Sequence, residues 1–266
     1  MRSVQVVEQS SANTTRAECV IGVDESGQVG DPKPFALAAV RCPREESERL
    51  AELLLKQQLA PWRAKSKTLG KRVPPAERDR RVKGLIEALT SEPVSWGVAV
   101  GRSQESIRHK AAAVCILAKK TITATDSSRG DSVIIPDGAP SMYGENQSYL
   151  RAQVAQIFDG SFQSTFGGIY VTGLPKADLT YPEAIAADYL AGYVRRAIAE
   201  NGKAIRVLPD EVVRFDPNWV EPAVPPVPYY RIQGIGGDYG THARTRIAAW
   251  IKGRRPVDIL TRVNAG

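Results

Sequence analysis

Apolar residues in this chain fall into short β-branched runs that alternate with longer stretches at helical spacing. The first run, Cys19-Val20-Ile21-Gly22-Val23, is too short for a helix and ends in the turn residues Ser26-Gly27 and Gly30-Asp31-Pro32, so it predicts a buried strand. A second strand is predicted over 35–40, antiparallel to the first. Leu50, Leu53 and Leu54 then set a helical period over 45–59 that stops before Pro61. Pro75 opens a second helix through 89, since the missing N–H of proline costs nothing in a first turn. Residues 94–100 alternate as a strand, and Ser103 with Ser106 can cap the Ala-rich helix that follows to about 123. Another buried strand, 132–135, runs straight into Asp137-Gly138. Helix is predicted over 146–158 and 182–199, with a strand over 168–172 between them.

The flanks read differently. Residues 1–18 are polar and predict a flexible lead-in, with Val4, Val6 and Val7 able to add a short edge strand. Five prolines within 217–228 exclude regular helix or sheet and predict an extended strap. A turn at Gly234, Gly236 and Gly237, a short helix over 241–252 and a tail over 254–266 complete the chain. Strands alternating with helices predict the α/β class, as one domain over 19–253 with a mixed sheet around its first strands.

Composition narrows the partners more than the fold. At 266 residues the chain can bury a full core, and 42% hydrophobic with 24% charged residues is ordinary for a globular protein. Lys plus Arg number 36 against 29 Asp plus Glu, a net charge of +7, which favours a polyanionic partner such as nucleic acid. Cys19, Cys42 and Cys115 are odd in number, far apart and without a C-x-x-C pair, so neither a disulfide framework nor a zinc site is expected. No stretch approaches the ~18 apolar residues of a membrane span, and the N-terminus has no signal-type apolar region. A cytoplasmic protein, monomeric and without a membrane partner, is the expectation.

The candidate chemistry lies in carboxylates at strand ends. Asp24-Glu25 closes the first strand, Asp137-Gly138 closes the strand at 132–135, and Asp178 lies between a strand and a helix. Loops at strand ends line the crevice where α/β sheets bind ligands. Carboxylates gathered there repel one another unless hard cations lie between them, and Mg²⁺ or Mn²⁺ prefers such oxygen ligands. Neighbouring strand residues point to opposite faces, so Asp24 and Glu25 converge only if the chain leaves strand geometry at Glu25, which Ser26-Gly27 would permit. The plainer alternative is that each Asp is a turn former.

The order and setting of these residues resemble the type 2 ribonucleases H, the ribonuclease HII and HIII family. Gly22-Val23-Asp24-Glu25-Ser26-Gly27 is similar to that family's opening G-x-D-E-x-G, followed by an Ala-rich strand, here Ala36-Leu37-Ala38-Ala39-Val40. Lys65-Ser66-Lys67-Thr68-Leu69 resembles the S-K-x-L loop, and Val133-Ile134-Ile135-Pro136-Asp137-Gly138 the strand ending in Asp-Gly. Lys176-Ala177-Asp178 is similar to the K-G-D element, Ala186-Ala187-Asp188-Tyr189-Leu190-Ala191 to the A-A-S-I-x-A helix, and Tyr239-Gly240-Thr241 to G-Y-x-T. The resemblance covers residues 19–252.

It implies a ribonuclease H-like mixed β-sheet flanked by helices, with a C-terminal helical extension. It implies a two-metal endonuclease that hydrolyses the RNA strand of RNA/DNA hybrids, with Asp24, Glu25, Asp137 and Asp178 as ligands of Mg²⁺ or Mn²⁺. Lys67 or its neighbours, Ser66 among them, would contact backbone phosphate and Lys176 the substrate, while Tyr239 would pack on a sugar of the DNA strand or else be a core-edge tyrosine. Ser26, Gly27 and Gln28 would form the substrate-reading turn. That turn departs from the family: Gly27-Gln28-Val29 stands where ribonuclease HII has Gly-Arg-Gly, so selection of a single embedded ribonucleotide is not implied. Asp188 replaces a small hydroxyl residue and is either a fifth metal ligand or a partner of Arg195, and Gly192 replaces a lysine. Of the two histidines, His109 is expected to be structural, and His242 to be either an exposed helix-start residue or a group that approaches a scissile phosphate. Two rivals stay open: a nuclease for DNA or single strands on the same fold, and a non-catalytic nucleic-acid binder. A partner protein that uses the strap as its docking surface is a weaker third.

Overall fold

The computed structural model describes residues 4–8, 11, 13–27, 35–59, 73–90, 94–101, 107–124, 130–201, 212–214 and 230–232. The N-terminal residues form a hairpin, β1 (Val4–Glu8) with β2 (Thr14–Ala17); the short strand open to Val4, Val6 and Val7 is β1, and it is paired rather than loose. Its cause lies in alternation: Val4, Val6 and Ala17 face inward over Val20, Val133, Ile135 and Tyr181, which would otherwise lie bare. A short strand from far along the chain, β9 (Tyr230–Ile232), completes this three-stranded sheet against β1.

The main sheet is built from β3 (Cys19–Ser26), β4 (Phe35–Pro43), β5 (Ser95–Gly101), β6 (Ser132–Pro136), β7 (Ile169–Val171) and β8 (Val212–Arg214). Their spatial order is β7-β6-β3-β4-β5-β8. β3, β4 and β5 are successive antiparallel neighbours, whereas β6 joins β3 in parallel, with Val20 opposite Val133 and Gly22 opposite Ile135. This mixed sheet, with helices on both faces, is the ribonuclease H-like fold the sequence led us to expect. β3 is central, which explains its unbroken apolar run: both of its faces are covered.

Helices α1 (Ser47–Lys56), α2 (Pro75–Thr90) and α6 (Pro182–Asn201) cover one face. There Ala36, Ala38 and Val40 of β4 meet Leu50, Leu54, Leu85, Leu89 and Leu190. Helices α3 (Ile107–Thr123), α4 (Ser148–Ile157) and α5 (Gly160–Phe166) cover the other. On that side Leu37 and Ala39, the alternate residues of β4, meet Val114, Leu117, Leu150 and Phe158 together with Ile21 and Val23. The helix expected over 146–158 is α4, and α5 is a further helix that follows it. Asp159 starts the second by accepting the Phe162 N–H at 2.8 Å. No described helix is long and apolar enough to cross a membrane. The expected strap at 217–228, the helix over 241–252 and the tail lie outside the described residues.

One contact sets how α6 sits on the sheet. A Cβ placed on Gly22 would come within 2.2 Å of the Ala184 amide nitrogen and 2.4 Å of the Glu183 carbonyl carbon. Only glycine lets the first turn of α6 rest on β3 at this distance. Glu183, fully buried in that turn, is held to α1 by the Ser47 hydroxyl, which donates to its carboxylate at 2.6 Å.

Candidate metal centre

Three carboxylates from separate segments converge where β3 meets α6. Asp24 comes from the end of β3, and Asp178 from a 3-10 turn (Ala177–Leu179) after β7. Asp188 lies on α6. One oxygen from each lies within 4.8 Å of the others. Asp24 and Asp178 are only 6% and 3% exposed. Burial pushes the Asp24 carboxyl well above its usual range, and the negative charges of Asp188, Glu25, Asp137 and Asp178 push it further. Asp24 Oδ1 accepts the Glu25 N–H at 2.7 Å, which fixes the carboxylate against its own backbone.

Asp137 closes the neighbouring strand. Its N–H donates to the Val23 carbonyl at 2.8 Å, continuing the ladder past the end of β6. Its Oδ1 accepts the Ala177 N–H at 2.8 Å, so this carboxylate orients the turn that carries Asp178. Lys176 enters that turn at φ +59° with its side chain exposed, a left-handed conformation that the Leu179 N–H to Lys176 carbonyl bond closes at 2.9 Å.

Glu25 takes another direction. The expectation that the chain leaves strand geometry there is not met: β3 stays paired with β4 through Glu25–Leu37 and Ser26–Ala36. Alternation therefore sends Asp24 toward α6 and Glu25 toward α3, where it forms an ion pair with the Lys110 ammonium. Lys110 is 1% exposed and stands 5.2 Å from the centroid of the Tyr143 ring. The Tyr143 hydroxyl donates to the Asp137 carbonyl at 3.2 Å, and burial among these acids pushes its ionisation up, so it remains a donor.

Sequence reasoning missed Lys110 and Tyr143. Lys110 is revealed only by packing: Lys110, Val114, Leu117 and Thr121 form one buried stripe of α3, and a lysine on such a stripe requires a partner. Ser26 and Gly27 end β3 half-buried beside the site, Gly27 with φ +124°. Gln28, Ser66, Lys67, Tyr239 and His242 lie outside the described residues, as does the side chain of His109.

Solved structures of ribonucleases H are similar to this chain. The structure of a point mutant of Bst-RNase HIII is similar, at 20% identity and TM-score 0.47, over 92% of this chain. This chain spans 65% of the length of that protein. RNase HII in its PCNA complex from Archaeoglobus fulgidus is similar at 18% identity and TM-score 0.39, over 74% of this chain and 83% of that one. Ribonuclease H2 from Pyrococcus horikoshii OT3 is similar at 16% identity and TM-score 0.38, over 92% and 93%. No family model matches the chain, and no curated protein matches it in sequence.

Proposed function

We propose that the chain is a divalent-metal-dependent endonuclease that hydrolyses the RNA strand of RNA/DNA hybrids. The observation that carries this reading is the convergence of Asp24, Asp178 and Asp188 from three distant segments at the end of the central strand. Three acids held this close, two of them buried, fit a hard cation: oxygen donors alone suit Mg²⁺ or Mn²⁺, and a cation relieves their mutual repulsion. Asp24, Asp178 and Asp188 would hold the ion, and Asp137 would keep the Asp178 turn in place through the Ala177 N–H. When bound, such an ion lowers the pKa of a coordinated water and stabilises charge on phosphate oxygens. The protein supplies the rest. The α6 contact at Gly22 fixes the approach of Asp188 to Asp24, and Asp24 sits near the end of β3, two residues before the strand stops.

The substrate class rests on the ordered motifs from Asp24 to Asp178 and on the net charge of +7. Binding to phosphate would fall steeply with salt, and hybrid selectivity would come from shape and 2′-OH contacts. A second reading, cleavage of DNA, is favoured by one observation, the Gly27-Gln28-Val29 turn. The test is cutting of a labelled RNA/DNA hybrid with Mg²⁺ or Mn²⁺, beside DNA duplex and single-stranded RNA. Asp24→Ala and Asp137→Ala run in parallel. Hybrid-only cutting lost in both variants is expected. Equal cutting of DNA would select the second reading, and binding without cutting of any substrate would refute catalysis.

A further inference from the structure

We infer that Lys110 is a resident cation of this centre, holding Glu25 on the α3 face so that the site takes a single divalent ion at Asp24, Asp178 and Asp188. The inference rests on the metal-site reading above and adds the number of ions and the residue that sets it.

The two acids of the Asp24-Glu25 pair have different neighbours because β3 remains extended through Ser26. Asp24 faces α6, where Asp188 and Asp178 lie within 4.8 Å of it by their carboxylate oxygens. Glu25 faces α3, where its Oε1 pairs with Lys110 Nζ.

Lys110 has strong reasons to hold its partner. At 1% exposure its ammonium has lost its water, and a buried charge without compensation is expensive. Two groups compensate it on the described face: the Glu25 carboxylate and the Tyr143 ring, whose centroid lies 5.2 Å away. Tyr143 is itself tied to the centre through its hydroxyl bond to the Asp137 carbonyl. Drawing Glu25 away to a second metal ion would strand Lys110 and loosen this link. Positive charge beside Glu25 is already supplied by the Lys110 ammonium, so this carboxylate needs no second divalent ion to neutralise it.

The experiment is Mn²⁺ titration of the full chain at neutral pH, by calorimetry and by loss of the free-ion electron paramagnetic resonance signal. The wild-type chain is expected to take one Mn²⁺. Lys110→Met releases Glu25 and is expected to take two, and adding Glu25→Gln to Lys110→Met is expected to return the count to one. Folding of each variant is read from its far-ultraviolet circular dichroism and thermal melt. If Lys110→Met alone does not fold, the double variant, whose pair is neutral, decides the matter. Its single ion is expected to bind as in the wild type, and a loss of tenfold or more in affinity would make Glu25 a ligand and overturn the inference. Two ions on the wild-type chain, or one on a folded Lys110→Met, would also overturn it while leaving the metal site in place. No Mn²⁺ bound to the wild type would remove both readings together.

Discussion

Asp24→Asn should make the metal-free protein more stable and the metal-treated protein less responsive. The substitution keeps the shape of the side chain, and the amide oxygen can still accept the Glu25 N–H that Asp24 accepts at 2.7 Å. What it removes is charge. Oxygens of Asp24, Asp178 and Asp188 lie within 4.8 Å of one another. At an effective dielectric constant near 20, two unit charges at that distance repel by about 3.5 kcal/mol. Two such pairs around Asp24 reach about 7 kcal/mol, comparable with the roughly 5–15 kcal/mol that holds a whole domain folded. The metal-free centre escapes part of this by protonation, and burial with the surrounding acids indeed pushes the Asp24 carboxyl well above its ordinary 3.8.

The sign follows from linkage. A carboxyl whose folded pKa is raised leaves stability intact below its unfolded value, near pH 4, and costs stability as pH rises through the folded value. At pH 7 the residual strain relieved by Asp24→Asn should be roughly 2 kcal/mol, or about 4–8 °C in Tm for a chain of this size. The assay is thermal unfolding in chelator and in saturating Mn²⁺. In chelator the variant should melt above the wild type. In Mn²⁺ the wild type should rise, by about 2.7 kcal/mol at a hundredfold excess over Kd, while the variant stays near its chelator value. A variant that melts below the wild type in chelator and rises equally in Mn²⁺ would refute the claim that Asp24 belongs to a mutually repelling, cation-relieved group.

Three further outcomes follow from other parts of the fold. Gly22→Ala drives a methyl to 2.2 Å from the Ala184 backbone and should cost about 3 kcal/mol in a urea melt; a change under about 0.5 kcal/mol would show that α6 does not rest on β3 there. The three cysteines are buried and free, with the thiols of Cys42 and Cys115 pushed up by burial, so Ellman's reagent should label none in the native protein and all three after denaturation. Glu77 is hydrogen-bonded by Arg80 and Arg81, which bring its carboxyl down from 4.5 to about 2. Its contribution to α2 is therefore complete above about pH 4.5 and lost as pH falls toward 2, and a side-chain NMR midpoint near 4.5 would contradict the pairing.

Much of the central architecture was legible because β3 carries its information locally. An apolar run closed by Asp24-Glu25 and Ser26-Gly27 marks a buried strand with acids at its mouth, whatever surrounds it. Asp137 and Asp178 were legible for the same reason, each following a strand. A strand at Val4, Val6 and Val7 was legible, but its pairing was not, because its partners, β9 and the Val20–Val133–Ile135 surface, come from elsewhere in the chain. Nor was Lys110, which reads as a solvated charge until α3 is laid on the sheet with that stripe inward. The direction of Glu25 was half legible: alternation separates it from Asp24, and only the continued pairing with Leu37 shows that the strand does not break to reunite them.

Asp188 shows how a single backbone contact converts two distant positions into one site. Gly22 packs directly against the backbone of Ala184 in the first turns of α6. From there Asp24 is two residues along an extended strand, about 6.6 Å. Asp188 is four residues along a helix, about 6 Å and roughly one turn, so it returns to the face that Ala184 presents to the strand. These matched advances agree with the proximity of the two carboxylates, whose oxygens lie within 4.8 Å. The glycine of the Gly-x-Asp-Glu motif and the aspartate of α6 therefore work as one geometric device. A side chain at Gly22 should degrade metal binding through Asp188 as well as stability, although residue 22 itself carries no ligand atom.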